Sequence, residues 1–286
     1  MSVTERAVVF ACQGQSLIGV LAEPAGHAQP TAVLIVVGGP QYRAGSHRHF
    51  VQLARELAAA GHPTLRFDVR GMGDSEGETH NFEAIGDDIG AAIDALVANT
   101  APGTRVLLWG LCDGASAALL YLQQHHDPRV AGLCLLNPWV RSEQSQARTQ
   151  VKHYYMERLQ QREFWRKLLT GQVAASALSG LARSVKLAMG ASVAAPSQAA
   201  LPYQARMAEG WSSSTGPILL VLSGNDYTAK EFIEFTRGDA RWQQPLASAR
   251  VSRHELPGAD HTFSEAADKA RLAELTIGWA RSALSA

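Results

Sequence analysis

The sequence lacks several features that would mark particular classes of protein. It holds only three cysteines, Cys12, Cys112 and Cys134, and this odd number does not make the disulfide framework of a small secreted domain. There is no run of about 18 apolar residues, so the sequence predicts no membrane-spanning helix. The N-terminal residues lack the basic-then-apolar build of a secretory signal. We therefore expect a cytoplasmic protein without stable membrane insertion.

Net charge and metal or nucleotide motifs are also missing. Lys and Arg number 26, as do Asp and Glu, so the overall charge does not predict nucleic acid as a partner. His47-Arg48-His49 and His125-His126 lack the i, i+4 spacing of zinc sites, and the glycine-rich stretch 71–77 lacks the G-x-G-x-x-G spacing of a dinucleotide site. We expect neither a metal nor a cofactor. Three acidic residues are interpreted as surface or helix-capping groups: Asp74, Asp87 and Asp88.

Strand-like and helix-like segments alternate along most of the chain. Eight segments have the apolar pattern of β-strands: 8–10, 17–21, 32–37, 64–69, 105–109, 130–136, 218–222 and 251–256. Helical spacing is found at 50–60, 82–97, 115–124 and 272–284. The first two strands predict a hairpin. The alternation that follows predicts an α/β fold, with a mostly parallel eight-stranded sheet and helices on both faces.

The stretch between residues 139 and 216 interrupts this alternation. It contains no strand-like segment and is too long for a simple connection. From Arg141 to Lys186 it carries nine Lys and Arg against three Glu, and an aromatic cluster at 154–165 argues against disorder. We predict a helical cap over residues 139–216, inserted into a core formed by residues 1–138 and 217–286. A disordered linker is the alternative.

The clearest chemical signal is Gly110-Leu111-Cys112-Asp113-Gly114. It follows a predicted strand and precedes a predicted helix, the context in which a G-x-nucleophile-x-G sequence presents a reactive side chain on a sharp turn. The N-terminus of a helix favours negative charge and would stabilise a cysteine thiolate. The alternative is a buried core cysteine, which is what we expect of Cys12 and Cys134.

Two further residues, which occur later in the chain, would complete a catalytic triad. Asp226 follows the strand-like segment 218–222, where a carboxylate could orient a histidine. His261 lies in the loop between the last predicted strand and the last predicted helix. Taken singly, Asp226 could be a turn-forming residue and His261 an ordinary loop histidine. Together with Cys112 they form a chemically competent set.

These motifs resemble the α/β-hydrolase superfamily, in which the triad occurs in the order nucleophile, acid, histidine. Residues 68–75 are similar to the D-x-R-G-x-G-x-S loop that follows the fourth strand of many members. More narrowly, residues 36–43 and 110–114 resemble the exosortase A system-associated hydrolases of type 1. Those proteins accompany bacterial exopolysaccharide and PEP-CTERM protein-sorting loci. The cysteine site also resembles that of the dienelactone hydrolases.

The resemblance implies an oxyanion hole built from backbone N–H groups. One donor would be Asp113, the residue after the nucleophile. The other would come from the loop after the third predicted strand, where we select Gly38 and keep Gly39 and Gln41 in reserve. Pro40 has no N–H and cannot donate.

We therefore predict an acyl hydrolase that works through Cys112, His261, Asp226 and a covalent thioacyl-enzyme. Because a thiolate is a good leaving group, the expected substrates are small acyl compounds of the thioester, activated ester or lactone type. The basic part of the predicted cap could bind an anionic substrate, although a solvated helical face is the alternative. Two other functions fit the same residues: an acyltransferase to a sugar or other hydroxyl acceptor, and a non-catalytic binding protein.

Overall fold

A computed structural model describes residues 3–141 and 201–283. Within these ranges eight strands alternate with helices, as the sequence predicts. The strands are β1 (Val3–Cys12), β2 (Gln15–Pro24), β3 (Thr31–Val36), β4 (Thr64–Phe67), β5 (Arg105–Leu111), β6 (Val130–Leu136), β7 (Ile218–Ser223) and β8 (Val251–Leu256). They form one sheet in the order β1-β2-β4-β3-β5-β6-β7-β8.

The helices of the described residues follow the strands in sequence. They are α1 (His49–Ala59), α2 (Gly86–Ala98), α3 (Asp113–His125), α4 (Tyr203–Ser213), α5 (Tyr227–Gly238), α6 (Ala240–Leu246) and α7 (Ala266–Ser282). Short 3-10 turns at Ser46–Arg48 and Phe82–Ala84 come before α1 and α2. Across the two described ranges, no helix combines the length and the apolar character that crossing a membrane requires.

The sheet is mostly parallel. Strands β1 and β2 form the predicted hairpin, and β2 also pairs antiparallel with β4. Every other neighbouring pair, from β4–β3 to β7–β8, is parallel. The carboxyl ends of β3, β5, β6, β7 and β8 therefore meet at one edge of the sheet, which is where open α/β sheets bind ligands.

Helices cover both faces of the sheet, because successive side chains of a strand point in opposite directions. On β5, Leu108 packs into a buried cluster with residues of α2 and α3. Its neighbour Trp109 packs into a second cluster with residues of α1 and α7. Both side chains are fully buried. The predicted α/β class, with a mostly parallel eight-stranded sheet and helices on both faces, is confirmed.

Two helices between β7 and β8 were not predicted. The buried face of α5 includes the polar residues Thr228, Glu231 and Thr236, and α6 contains Pro245, which interrupts the pattern that identifies a helix in sequence. These helices are joined in space by aromatic side chains. Trp242 of α6 makes edge-on contacts with Phe232 of α5 and with Trp211 of α4, each at a ring-centroid distance of 5.6 Å.

Most of the predicted cap, from residue 142 to residue 200, lies outside the described residues. Its C-terminal part includes α4, which packs directly on α3. The two helices approach so closely at Gly210 that a Cβ atom there would collide with the carbonyl oxygen of Leu119. The division into a core of 1–138 and 217–286 and a cap of 139–216 stays a prediction.

One acidic residue differs from its sequence interpretation. Asp88 is fully buried and is not a surface residue, because it pairs with the guanidinium of Arg70. Its carboxylate accepts hydrogen bonds from Arg70 Nη2 at 2.8 Å and from the Arg70 backbone N–H at 2.8 Å. This ion pair links the start of α2 to the segment that follows β4. A carboxylate in the first turn of a helix also interacts favourably with the helix dipole.

Removing this carboxylate should destabilise the fold. In Asp88→Ala the Arg70 guanidinium would stay buried without its partner, at a cost of about 3–5 kcal/mol in the free energy of unfolding. The control is Asp94→Ala, because the Asp94 side chain is 69% exposed and its ion pair with Arg129 should contribute less than about 1 kcal/mol. Urea unfolding would measure both variants, and equal losses would contradict the assigned role of the buried pair.

Candidate active site

Cys112 lies on a sharp turn between β5 and α3. Its backbone has φ 59° and ψ −124°, a conformation that residues with a side chain rarely adopt. The side chain is partly exposed, whereas Cys12 and Cys134 are buried. Burial raises the pKa of both buried thiols. Of the three cysteines, Cys112 is thus the one placed for chemistry, and the other two are core residues as predicted.

The turn requires glycine on both sides of Cys112. A Cβ atom at Gly110 would lie 2.6 Å from the backbone nitrogen of Ala115, and one at Gly114 would lie 2.5 Å from the carbonyl oxygen of Val36. Real Cβ atoms do not approach other atoms so closely. The glycines of the motif therefore allow β5, α3 and the end of β3 to converge around Cys112.

Backbone hydrogen bonds hold the turn in place. The Cys112 N–H donates to the carbonyl oxygen of Leu136 at 2.8 Å, and the Cys112 carbonyl accepts from Trp139 N–H at 3.3 Å. Both partners belong to the end of β6 or the segment after it. The Ser116 hydroxyl also donates to the Trp139 carbonyl, at 2.8 Å. The turn is consequently fixed by the neighbouring strand as well as by its own helix.

Asp226 and His261 meet at the same edge of the sheet. Asp226 follows β7 and is buried, and His261 lies in the loop after β8. His261 Nδ1 lies 2.9 Å from Asp226 Oδ2. Asp226 also caps α5, since its carboxylate accepts from the N–H groups of Thr228 at 3.0 Å and Ala229 at 3.2 Å. The cap fixes the carboxylate that orients the imidazole.

Cys112 also acts on the imidazole. The hydrogen bond to Asp226 and then the one to Cys112 raise the pKa of His261 to about 10, against the opposing effect of burial. A histidine with such a pKa carries its proton throughout the neutral range. The structure therefore brings the three predicted triad residues together, with a cationic ring between a buried carboxylate and the sulfur.

The loops that carry Asp226 and His261 are fastened to each other. The Gly224 N–H donates to the carbonyl of Leu256 at 2.8 Å, and the Asn225 N–H donates to the carbonyl of Ala259 at 3.0 Å. A Cβ atom at Gly224 would lie 2.6 Å from Pro257 Cα. These contacts set the separation of the carboxylate and the imidazole before any substrate binds.

Asn137 and Ser223 form a second link that sequence reasoning missed. Asn137 is fully buried at the end of β6, and its amide donates to Ser223 Oγ at 2.9 Å and to the His261 carbonyl at 3.3 Å. The Ser223 hydroxyl donates to the Asp260 carbonyl at 2.8 Å. Asn137 has a φ of 44°, in the left-handed region that asparagine tolerates better than most residues. The Asn137-Pro138 pair after a strand was the available signal.

The predicted oxyanion donors lie around the first turn of α3. A Cβ atom at Gly38 would collide with the carboxylate of Asp113 and the backbone nitrogen of Gly114, so Gly38 packs directly against that turn. The Gly39 N–H donates to Asp113 Oδ2 at 2.7 Å. The Gln41 N–H donates to the Gly39 carbonyl at 2.8 Å within the same loop. The choice of donors stays a prediction.

The loop after β4 supports the loop after β3. Asp68 is fully buried and accepts from the N–H groups of Arg43 at 2.6 Å and Asp74 at 3.1 Å. The Arg43 guanidinium forms ion pairs with both carboxylates. The Ser75 hydroxyl donates to the Asp68 carbonyl at 2.8 Å. The D-x-R-G-x-G-x-S motif is thus a packed support beside residues 38–43.

Two of the histidines considered for metal binding, His49 and His125, pack against aromatic side chains. His49 is buried, and burial lowers its pKa to about 4. Its ring meets Trp109 edge-on, with ring centroids 5.9 Å apart. His125 stacks on Tyr121 at 4.7 Å. Among the residues that the structure describes, no group of three or more His, Cys, Asp or Glu side chains is arranged to hold a metal ion.

Comparison with known proteins gives one family. Residues 33–275 match the model of the family described as "Alpha/beta hydrolase family", which spans most of the chain. None of the curated proteins that were compared matches the sequence significantly.

Solved structures share the architecture at low sequence identity. The esterase Pf2001 of Pyrococcus furiosus is 15% identical, with a TM-score of 0.60 over 95% of this chain and 91% of that one. Est1E of Butyrivibrio proteoclasticus, solved with ferulic acid bound, is 15% identical, with a TM-score of 0.61 over 98% and 100% of the two chains. An alpha-beta serine hydrolase homologue from Coxiella burnetii is 16% identical, with a TM-score of 0.58 over 96% of each chain. Likenesses at this identity concern the fold alone.

Neutralising Asp226 should slow alkylation of Cys112. In Asp226→Asn the pKa of His261 should fall toward its ordinary value, so the ring loses its positive charge beside Cys112 at neutral pH. We expect the iodoacetamide rate at neutral pH to drop roughly tenfold or more, and to recover as the pH rises. The control is Asp239→Asn, because Asp239 caps α6 by accepting from Arg241 N–H at 3.0 Å. An unchanged rate in Asp226→Asn would contradict this electrostatic coupling.

Asn137→Ala should both destabilise the protein and loosen the His261 loop. Ser223 and the His261 carbonyl would lose a buried donor, at a cost of about 1–3 kcal/mol in the free energy of unfolding. We also expect slower alkylation of Cys112, since His261 would be held less firmly. Asn99→Ala is the control, because Asn99 bonds the Ala95 carbonyl at 2.7 Å at the end of α2. If both variants alkylate at the wild-type rate, Asn137 does not position the histidine.

Proposed function

The chain belongs to the alpha/beta hydrolase family, and on that premise we propose that it is an acyl hydrolase, an esterase or thioesterase, with Cys112 as nucleophile. His261 is the general base and acid, and Asp226 orients it. The reaction passes through a covalent thioacyl-enzyme.

One observation carries this proposal. Cys112 stands on a strained turn at a helix N-terminus, and its side chain helps to raise the pKa of an imidazole that Asp226 holds at 2.9 Å. A core cysteine would need neither the strained backbone nor the polar partner. A binding protein that had lost catalysis would have no reason to retain a histidine with its proton held beside a thiol.

The acylation step follows from this geometry. The thiolate attacks the carbonyl carbon of the substrate, a C–S bond forms, and the carbonyl electron pair moves to oxygen. When the tetrahedral intermediate collapses, the bond to the leaving group breaks, and His261 gives its proton to that group. The products are a thioacyl-enzyme, a free thiol or alcohol, and a neutral His261.

Deacylation uses the same proton transfer through His261, with water as the nucleophile. Neutral His261 takes a proton from a water molecule as the water oxygen attacks the thioacyl carbonyl. Collapse of this second intermediate breaks the C–S bond, releases the carboxylic acid, and returns the thiolate beside the imidazolium. Asp226 keeps the Nδ1–H bond throughout, so that Nε2 remains the atom that exchanges the proton.

The nucleophile determines the class of substrate. A tetrahedral intermediate that carries a thiolate and an alkoxide expels the thiolate, which returns an alkyl ester unchanged. A second thiolate, an enolate or another stabilised anion leaves productively. The proposed substrates are therefore small acyl thioesters, activated esters and lactones. The ferulic acid bound to the structural neighbour Est1E is consistent with a small acyl group in this fold.

The biological setting rests on sequence resemblance. Residues 36–43 and 110–114 resemble the exosortase A system-associated hydrolases, which suggests a role near exopolysaccharide or PEP-CTERM protein sorting. Recognition of an anionic carrier by the basic part of the predicted cap belongs to the same hypothesis. The basic residues between 142 and 200 lie outside the described residues.

Cys112→Ala should abolish hydrolysis of acyl thioesters, with a loss on the order of 10³-fold or more in kcat, because the variant lacks the sulfur on which the proposed acyl-enzyme forms. The wild type should hydrolyse an acyl thioester faster than the matched alkyl ester. Cys12→Ala is the control, since it removes a buried cysteine away from the site. Equal activity of Cys112→Ala and wild type on both substrates would overturn the assignment of the nucleophile.

A further inference from the structure

Asp113 places a carboxylate on a backbone donor of the candidate oxyanion hole. Its Oδ2 atom accepts from the Gly39 N–H at 2.7 Å. Burial raises the pKa of this carboxylate, and the bond from the Gly39 N–H opposes that rise. The side chain thus turns back over the first turn of α3 toward the loop after β3.

The Gly39 N–H is also one of the candidate donors that the proposed function has for the oxyanion. The N–H of the residue after the nucleophile and an N–H of the β3 loop stabilise the oxyanion in this fold. An N–H group donates well to one acceptor at a time. A substrate oxygen can therefore use the Gly39 donor only after it has displaced the carboxylate.

The surroundings of Asp113 strengthen the effect of its charge. It lines a pocket of about 260 Å³ together with Gly38 and Gly39. The other described lining residues include the apolar side chains of Met72, Phe82 and Ile85 and the polar side chains of Thr79, His80 and Asn81. The described lining of this pocket contains no Lys or Arg. His261 is the cationic group whose charge acts on Asp113, and it is already engaged by Asp226 and Cys112. An anionic acyl group in this pocket would face Asp113, and no Lys or Arg among the described lining residues would offset the repulsion.

We infer that the Asp113 carboxylate occupies the oxyanion site of the resting enzyme and makes the site selective for acyl groups that carry no negative charge. The inference rests on the proposed function, because it needs Cys112 to be the nucleophile. It concerns the acyl group alone: a charged carrier attached through the leaving group could still extend toward other parts of the protein. Asp113 thereby acts as a specificity-determining residue.

A purely structural role makes a different prediction. If Asp113 served only to fasten the β3 loop through the Gly39 N–H, Asp113→Asn would keep that bond through its amide oxygen and behave as wild type. Asp113→Ala would lose the bond and impair every substrate alike. If the charge occupies the site, both variants relieve the repulsion, and the effect depends on the charge of the reagent.

Alkylation of Cys112 by two haloacetyl reagents separates these cases without requiring turnover. Iodoacetamide and iodoacetate differ in charge and are similar in size, and each places an oxygen near the sulfur. We expect the iodoacetate-to-iodoacetamide rate ratio to rise about tenfold in Asp113→Asn and in Asp113→Ala, as removal of a nearby like charge predicts. Asp94→Asn, which removes an exposed carboxylate, is the matched control.

An unchanged ratio in both Asp113 variants would overturn the inference. So would an iodoacetamide rate that falls in Asp113→Ala and stays normal in Asp113→Asn, since that is the pattern of a structural fastener. Because alkylation needs only a reactive Cys112, this result is separate from the test of hydrolysis. If Cys112→Ala retained full hydrolytic activity, the proposed function would fail while the alkylation ratio still reported on the Asp113 charge.

Turnover of a matched substrate pair gives a second test. Butyryl and succinyl thioesters of one thiol differ in the charge at the end of the acyl chain. The wild type should prefer the butyryl compound in kcat/KM, and Asp113→Asn should reduce that preference about tenfold, mainly by improving the succinyl compound. A preference that does not change in Asp113→Asn would exclude Asp113 as the source of the selectivity.

Discussion

Cys112 keeps a backbone conformation that residues with a side chain rarely adopt, and the rest of the site is arranged around it. Conformations of this kind cost about 1–3 kcal/mol and persist where surrounding contacts fix them. Here the contacts come from the end of β6, through the bonds to Leu136 and Trp139, and from α3. The strain has a geometric consequence: the sulfur is lifted above the sheet edge, and Gly110 and Gly114 must remain without side chains so that β3 and α3 can close in.

The parallel sheet then determines which residues can reach the sulfur. Because β5, β6 and β7 end at the same edge, Cys112, Asn137 and Ser223 become neighbours although they are far apart in sequence. Buried hydrogen bonds link the last two to the loop that carries His261. The histidine is therefore positioned from two sides, by the Asp226 carboxylate on its ring and by Asn137 on its backbone.

The sequence predicted the parts of this protein that depend on local patterns. Continuous apolar runs identified the strands, and the glycine-bracketed cysteine with a later acid and histidine identified residues that the fold brings together. Features that depend on long-range packing could not be predicted from the sequence. Asp88 was interpreted as a surface or helix-capping residue because nothing local shows that Arg70 is folded onto it. Asn137 and Ser223 act through strand register, and the orientation of the Asp113 side chain depends on the approach of Gly39.

The charges of the site explain why the place of Asp113 matters for chemistry. In the proposed reaction, attack by a thiolate creates no new charge; it moves one negative charge from sulfur to the substrate oxygen. At the sulfur that charge would face the imidazolium of His261. At the oxygen it would arrive beside the Gly39 N–H, which already donates to the carboxylate of Asp113. Two negative charges competing for the same donor repel each other strongly in a partly buried site. On this proposal the barrier to acylation depends on how easily Asp113 gives up the Gly39 N–H, as well as on the nucleophile and its histidine.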